Sequence, residues 1–175
     1  MFNSYLKLTR ILFDQYLQGQ EGFDYEQILE SKPQASQGVF VSLLDNQGKL
    51  ILVAGSLYPT AETLAGEIAR HLLLLCRQAK DRGLVPEQAE MCRLVLDFIS
   101  DLQEIEHLGQ LDPATEGLSV LAEDGRLGWA LPCAEADFTV KQQIAQACLR
   151  AGIDPRAGKL RLFSIQISQH LEELA

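Results

Sequence analysis

The sequence has no long hydrophobic run and no basic segment near its start. Its longest uninterrupted apolar runs are Leu50–Ala54 and Leu72–Cys76, far short of the roughly 20 residues that a membrane-spanning helix needs. Residues 1–7 lack the basic-then-apolar pattern of a secretory signal. The sequence therefore predicts a cytoplasmic protein that does not enter a membrane.

Positive charge is also scarce. Fifteen Lys and Arg face 24 Asp and Glu among 175 residues, a net charge of −9, which repels a phosphate backbone. In the densest basic stretch, Lys141–Arg161, the positive residues are too widely spaced to overcome this repulsion, and we interpret them as part of a solvated face. We therefore expect no nucleic-acid partner.

Familiar metal, phosphate and nucleophile motifs are missing. The four cysteines are too far apart for a C-x-x-C metal knuckle, and we expect buried, reduced thiols; they are Cys76, Cys92, Cys133 and Cys148. Neither glycine-rich phosphate loop occurs, and Gly55-Ser56 is not part of a Gly-x-Ser-x-Gly elbow. We predict neither a metal nor a cofactor.

Hydrophobic spacing predicts a leading helix over Ser4–Leu17, with Ser4 as its N-cap. A polar linker follows up to residue 37 and includes a short helix at Tyr25–Leu29. The next segments are predicted to be a strand at 38–44, a turn at 45–48 and a second strand at 49–57. A long helix then follows Thr60 and runs to about Lys80, and a strand covers 93–100.

The second half repeats this plan. Strands at 117–121 and 126–131 flank an Asp-Gly turn, a helix capped by Asp137 runs to Arg150, and Gly152 is placed for a left-handed end. A closing strand covers Leu160–Ile167. We predict an α+β fold in which two hairpin–helix–strand repeats share one curved, barrel-like sheet with helices outside. The domain spans 1–175: leading segment 1–37, repeats 38–107 and 108–175.

A set of short segments, spread in order over nearly the whole chain, points to a family. Two of them lie late in the chain, Gly128-Trp129-Ala130-Leu131-Pro132 and Cys148–Ile153. The others are Leu6–Arg10, Val39–Leu43, Gly48–Leu50, Gly55–Pro59, Leu96–Phe98, Gly117-Leu118 and Phe163. Together they resemble the AMMECR-type domain, named after the AMME chromosomal region: the first late segment is similar to the family's Gly-Leu-Leu-Leu-Pro and the second to its Cys-x-Lys-Ala-Gly-Leu. The resemblance implies two repeats around a barrel-like sheet.

The family's most characteristic element, Leu-Arg-Gly-Cys-Ile-Gly, is degenerate here. Its positions read Leu50-Ile51-Leu52-Val53-Ala54-Gly55, so arginine has become Ile51 and cysteine Val53. Isoleucine cannot make the bidentate contacts of arginine, and valine is neither a nucleophile nor a metal ligand. The family's Asp-Pro-Arg-Phe is reduced to Asp81-Arg82-Gly83. Chemistry that depends on these groups is expected to be lost.

Five residues are predicted to bind a ligand: Gly55, Ser56, Asp97, Gly128 and Trp129. No catalytic residue is assigned. Asp97 matches an acidic family position, although strand alternation favours solvent exposure for it. Trp129 could stack on a ligand or pack in the core.

Two other polar groups are interpreted without a ligand. Glu67 and His71, four apart on the long helix, are read as an exposed pair and not as a metal or acid–base site. Glu104, Glu106 and His107 are read as a polar loop.

Three hypotheses of function follow. The first is a non-catalytic binding or scaffold module for a protein or a small ligand, with an apolar surface at Ile51, Val53 and Trp129 as a possible interface. The second is an enzyme, or an enzyme accessory, acting with Memo-like or radical SAM partners, as the resemblance implies. Self-association through an edge left open by a short final strand is a third option.

Overall fold

The computed structural model describes residues 2–20, 36–156 and 158–173. The predicted short helix at Tyr25–Leu29 lies outside these residues. Within them, four α-helices and six strands follow one another, with a 3-10 turn at Leu108–Gln110. In chain order they are α1 (Phe2–Leu17), β1 (Val39–Leu44), β2 (Leu50–Ser56), α2 (Leu64–Asp81), α3 (Pro86–Ala89), β3 (Arg93–Ile105), β4 (Gly117–Ala122), β5 (Leu127–Ala130), α4 (Val140–Ala151) and β6 (Leu160–Leu171).

The first repeat is a hairpin covered by a long helix. Strand β1 pairs antiparallel with both β2 and β3, and α2 packs on the β1–β2 hairpin. Helix α2 begins where the Thr63 side chain accepts a hydrogen bond from the Gly66 N–H, which satisfies one free donor of the first turn. Its buried stripe, which includes Ile68 and Leu72, faces the hairpin because these residues recur at helical spacing.

The second repeat has the same plan. Strand β4 pairs antiparallel with β5 and β6, and α4 packs on β4 and β5. Asp137 is not the N-cap of this helix: Thr139 caps it, in a reciprocal pair with Gln142. Gly152 ends the helix in the left-handed region, at φ 63°, as predicted.

Helix α1 and two strands differ from their predicted bounds. Ser4 lies inside α1, which starts at Phe2. Strand β3 continues to Ile105 and β6 to Leu171, into stretches that are mostly polar and therefore give little sequence signal for a strand.

The six strands are hydrogen-bonded in the order β2-β1-β3-β6-β4-β5. This confirms the α+β class and the sharing of one sheet by the two repeats. The closing strand β6 is neither short nor at an edge, so the prediction of an edge left open there is wrong; β2 and β5 are the outer strands.

The chain divides into two compact units, Met1–Phe98 with Ser168–Ala175, and Ile99–Ile167. The core of the first unit joins α1, α2 and the hairpin, and includes Phe13, Leu72 and Leu96. The core of the second unit joins α4 to its hairpin through residues such as Val120 and Ala147. No helix in the described ranges is both long and apolar enough to cross a membrane.

The cysteines are free thiols. Three of them are buried, and Cys133 is half-buried. Burial raises the pKa of the Cys76 thiol to about 12, which keeps it protonated and unreactive at neutral pH.

Candidate functional site

Strand β2 carries the degenerate family motif, and its altered position Ile51 lies at a β-bulge. Leu43 pairs with Leu52 and Leu44 with Leu50, so Ile51 is the extra residue. Its side chain packs against the core of the first unit, while its carbonyl accepts a hydrogen bond of 3.0 Å from Arg82. The position that would hold an arginine in the family pattern is therefore part of the packing here.

Gly55, at the end of the same motif, lies against β1. It pairs with Phe40, and a Cβ at position 55 would collide with the Phe40 backbone and ring. Because only glycine leaves room for this ring, the packing of a buried aromatic side chain explains the residue.

A polar cluster forms where β2 meets α2. The Ser56 hydroxyl lies 2.8 Å from Glu67 Oε1 and 3.0 Å from His71 Nε2, and Nε2 lies 2.8 Å from the same Oε1. Glu67 and His71 are both buried, so the expectation of an exposed helix pair is wrong. They lie on the stripe of α2 that faces the hairpin, which brings them to Ser56.

The second carboxylate oxygen of Glu67 binds the loop between β2 and α2. The N–H groups of Thr60 and Ala61 each donate to Oε2 at 2.7 Å. Burial alone raises the pKa of Glu67, but the hydrogen bonds that it accepts outweigh burial and bring this pKa below its ordinary value. Glu67 is thus an ionised buried group that fixes the loop backbone.

The cluster does not have the geometry of a catalytic triad. An ionised Glu67 only accepts hydrogen bonds, so His71 Nε2 must carry the proton. In a triad the histidine binds serine and acid through different nitrogens. Here Nε2 faces both, and His71 Nδ1 is buried without a hydrogen-bond partner among the described residues. The Thr60 and Ala61 amides, which could bind an oxyanion, already bind Glu67. The arrangement holds the loop and does not activate Ser56.

Asp97, on β3, is 3% exposed, which corrects the expectation of solvent exposure. Residues 94–99 of β3 are buried on both faces of the sheet, so alternation alone does not place Asp97 in water. Gln169 on β6 donates to its Oδ1 at 2.9 Å. Burial raises the pKa of Asp97 to about 6, against the opposing effect of the Gln169 hydrogen bond.

Gly128 and Trp129 lie in the second unit, on β5. A Cβ at position 128 would collide with the Ala147 carbonyl, so this glycine lets α4 approach closely. The Trp129 ring is half-buried; the Arg150 guanidinium stacks 4.1 Å from its centroid and donates to the Trp129 carbonyl at 3.0 Å. Gly128 and Trp129, two of the five residues predicted to bind a ligand, therefore have contacts within the protein that explain them.

A charged cleft of about 230 Å³ lies beside α1. Arg10, within it, binds Glu172 through Nε at 2.9 Å and the Cys92 carbonyl at 2.7 Å, and also contacts Asp14. Glu172 in turn accepts from the Leu94 N–H. The cleft therefore joins the end of β6 to α1 and β3.

No group of three or more metal-ligating side chains occurs within the described part of the chain. Glu104, from the predicted polar loop, lies at the end of β3 and pairs with Arg161 through two hydrogen bonds of 2.7 Å.

Sequence reasoning missed the partners that give these residues their roles. Gln169 lies 72 positions from Asp97, and Arg82 lies 31 positions from Ile51; no local pattern links either pair. Glu67 offered one signal, since it follows the N-cap Thr63 within the first turn of α2, where a carboxylate can reach free N–H groups.

The chain is similar to known proteins both in sequence and in fold. The sequence model of the AMMECR1 family matches residues 6–169. A Thermotoga maritima protein, described only as "Protein", is 25% identical over 134 residues, which cover 76% of each chain. The crystal structure of an uncharacterized protein from Pyrococcus horikoshii, PH0010, superposes with a TM-score of 0.76 at 17% identity, over 97% of this chain and 90% of that one.

Proposed function

This chain belongs to the AMMECR1 family, and on that premise we propose that it is a non-catalytic module that binds another protein. The contact surface is the loop 57–63 between β2 and α2, with Tyr58 as its centre. The observation that carries the proposal is the buried Glu67, which holds this loop by two backbone N–H groups while Tyr58 remains 60% exposed.

The state of the motif supports a role without chemistry. Ile51 and Val53 replace the arginine and cysteine of the family pattern, and neither side chain can bind an anion bidentately or attack a substrate. Ser56, the remaining polar residue of the strand, is hydrogen-bonded to Glu67 and lies 2.8 Å from the Tyr58 carbonyl. The polar groups that remain here bind one another.

The loop has the properties of a protein contact. Leu57 is buried and fixes one end, Glu67 fixes Thr60 and Ala61, and Pro59 restricts the backbone between them. A rigid loop loses little conformational entropy on binding, and tyrosine is enriched among residues that dominate binding energy. An exposed tyrosine held in this way is suited to fill a pocket on a partner.

An enzymatic role is the second candidate, and Asp97 is the residue that favours it. A carboxyl group whose pKa is about 6 is suited to proton transfer near neutral pH. Asp97 is enclosed, however, and would need an opening of its surroundings to meet a substrate. We rank this candidate below the binding module.

Affinity capture from the native cell, followed by mass spectrometry, tests the proposal with three baits. They are the full chain, Tyr58→Ala and the control Met91→Ala, which removes a hydrophobic side chain of equal exposure, 61%, from the same unit. We expect one partner protein to copurify in stoichiometric amount with the full chain and with Met91→Ala. Tyr58→Ala should weaken its binding by about thirtyfold, the loss for a dominant side chain worth about 2 kcal/mol.

Equal retention of the partner by Tyr58→Ala would contradict the assignment of the loop. Absence of any protein partner, or repeated copurification of a small metabolite instead, would overturn the binding-module proposal itself.

A further inference from the structure

The outer strands of the sheet are β2 and β5. An outer strand exposes backbone N–H and C=O groups that can pair with another chain. A second copy of the same chain is the most available partner, because two identical edges can pair antiparallel about a twofold axis. Each of these edges carries an arginine on one of its carbonyl groups.

We propose that Arg82 and Arg150 close the two outer strands and prevent them from pairing with a second copy of this chain. Both residues come from the C-terminal end of the helix in their own repeat: Arg82 is the C-cap of α2 and Arg150 lies in the last turn of α4. The same solution thus occurs twice, on strands of unrelated sequence.

At β2, Arg82 Nη1 donates to the Ile51 carbonyl at 3.0 Å. Ile51 is the bulged residue, and a bulge already interrupts regular pairing along a strand. An incoming strand would have to break this hydrogen bond and move the guanidinium. Charge and bulge thus act at the same position of the edge.

At β5, Arg150 Nη1 donates to the Trp129 carbonyl at 3.0 Å, and its guanidinium stacks on the Trp129 ring. The stack holds the charge over the strand and adds to the cost of displacing it. Strand β5 has only four residues, and Pro132 follows shortly after; shortness and proline are two further ways in which proteins protect an edge.

Self-pairing of an edge displaces two guanidinium groups, whereas pairing with an unrelated strand displaces one. Each copy brings its own Arg82 to a pairing of two β2 edges, and its own Arg150 to a pairing of two β5 edges. Both guanidinium groups would have to leave their carbonyl partners. The arrangement therefore opposes self-association more strongly than pairing with an uncharged strand.

The test compares the sedimentation behaviour of the full chain with Arg82→Ala and Arg150→Ala over a wide range of protein concentration. The controls are Arg77→Ala on α2 and Lys141→Ala on α4, which remove the same charge from exposed positions on the same helices. We expect at least a tenfold rise in the self-association constant for either edge variant and none for the controls. The double variant should form species larger than dimers, since both edges are then open.

Monomeric behaviour of both edge variants at every concentration would overturn the proposal, as would equal association of the controls. If an alanine variant does not fold, Arg82→Gln and Arg150→Gln replace it, because they keep a donor for the carbonyl but remove the charge; they should associate more than the full chain. Amide hydrogen exchange supplies a second readout: association through the edges should protect β2 and β5 selectively. These outcomes are independent of whether Tyr58 binds a partner.

Discussion

Replacement of Asp97 by asparagine is predicted to remove a loss of stability that the unmodified chain undergoes as pH rises towards 7. The carboxyl group is buried on β3, and Gln169 is its hydrogen-bond partner. Asparagine has nearly the same shape and keeps an oxygen that can accept from Gln169 Nε2. The substitution therefore removes the ionisation of this position with little change in packing.

The expected magnitude follows from the pKa. Burial raises it from an ordinary value of 3.8 to about 6, which corresponds to about 3 kcal/mol of preference for the protonated form in the folded chain. Between these two pH values the folded state binds more protons than the unfolded state. The free energy of unfolding therefore decreases as pH rises through this window, and the full cost is present at pH 7.

Urea unfolding at a series of pH values from about 4 to about 7 measures this difference. The stability of Asp97→Asn relative to the unmodified chain should increase across the window by roughly 2 to 3 kcal/mol. Asp101→Asn, at an exposed position on the same strand, is the control and should show no such increase. A difference that is constant with pH would refute the reasoning, because Asp97 would then ionise normally despite its burial.

Three further predictions concern packing and hydrogen bonding. Glu67→Gln should destabilise the chain by about 2–4 kcal/mol at pH 7, since it weakens charged hydrogen bonds to a buried group. The loss, measured by urea unfolding, should shrink as pH falls below about 4.5. A loss that does not change with pH would contradict an ionised Glu67. Gly128→Ala should lower the free energy of unfolding by about 1–3 kcal/mol, because the new Cβ would collide with α4. Gly109→Ala, where a Cβ would meet open space, should lower it less. Equal decreases in melting temperature for the two variants would contradict the close approach of α4 to Gly128. Cys133 should react first with a thiol reagent and Cys76 only on unfolding; early reaction of Cys76 in the folded chain would disagree with its burial.

The candidate site was partly predictable from sequence. The replacement of a motif arginine and cysteine by Ile51 and Val53 is visible in the residues, and so is the loss of the chemistry that they carry. The role of Glu67 and His71 could not be predicted, because helical spacing places two residues on one face but does not show whether that face is exposed to solvent. The approach of the β1–β2 hairpin decides this point.

The case of Asp97 has the same cause. Alternation along a strand separates two faces, and a polar residue among apolar ones is usually assigned to the face in water. Along residues 94–99 of β3 both faces are covered, so the rule fails there. Its partner Gln169 comes from β6, the last strand in the chain, and only the strand order of the sheet brings them together.

Local sequence was enough to predict the elements that depend on neighbouring residues. The order of hairpin, helix and strand in each half, the turn at Gly48 and the left-handed end at Gly152 all follow from local spacing and backbone preference. Three other features became visible only in the folded chain: how far β3 and β6 extend, which strands lie at the edges, and the buried carboxylate that holds the loop after β2. These features depend on backbone pairing and side-chain contacts between residues distant in the chain, and such contacts leave no periodic trace in the sequence.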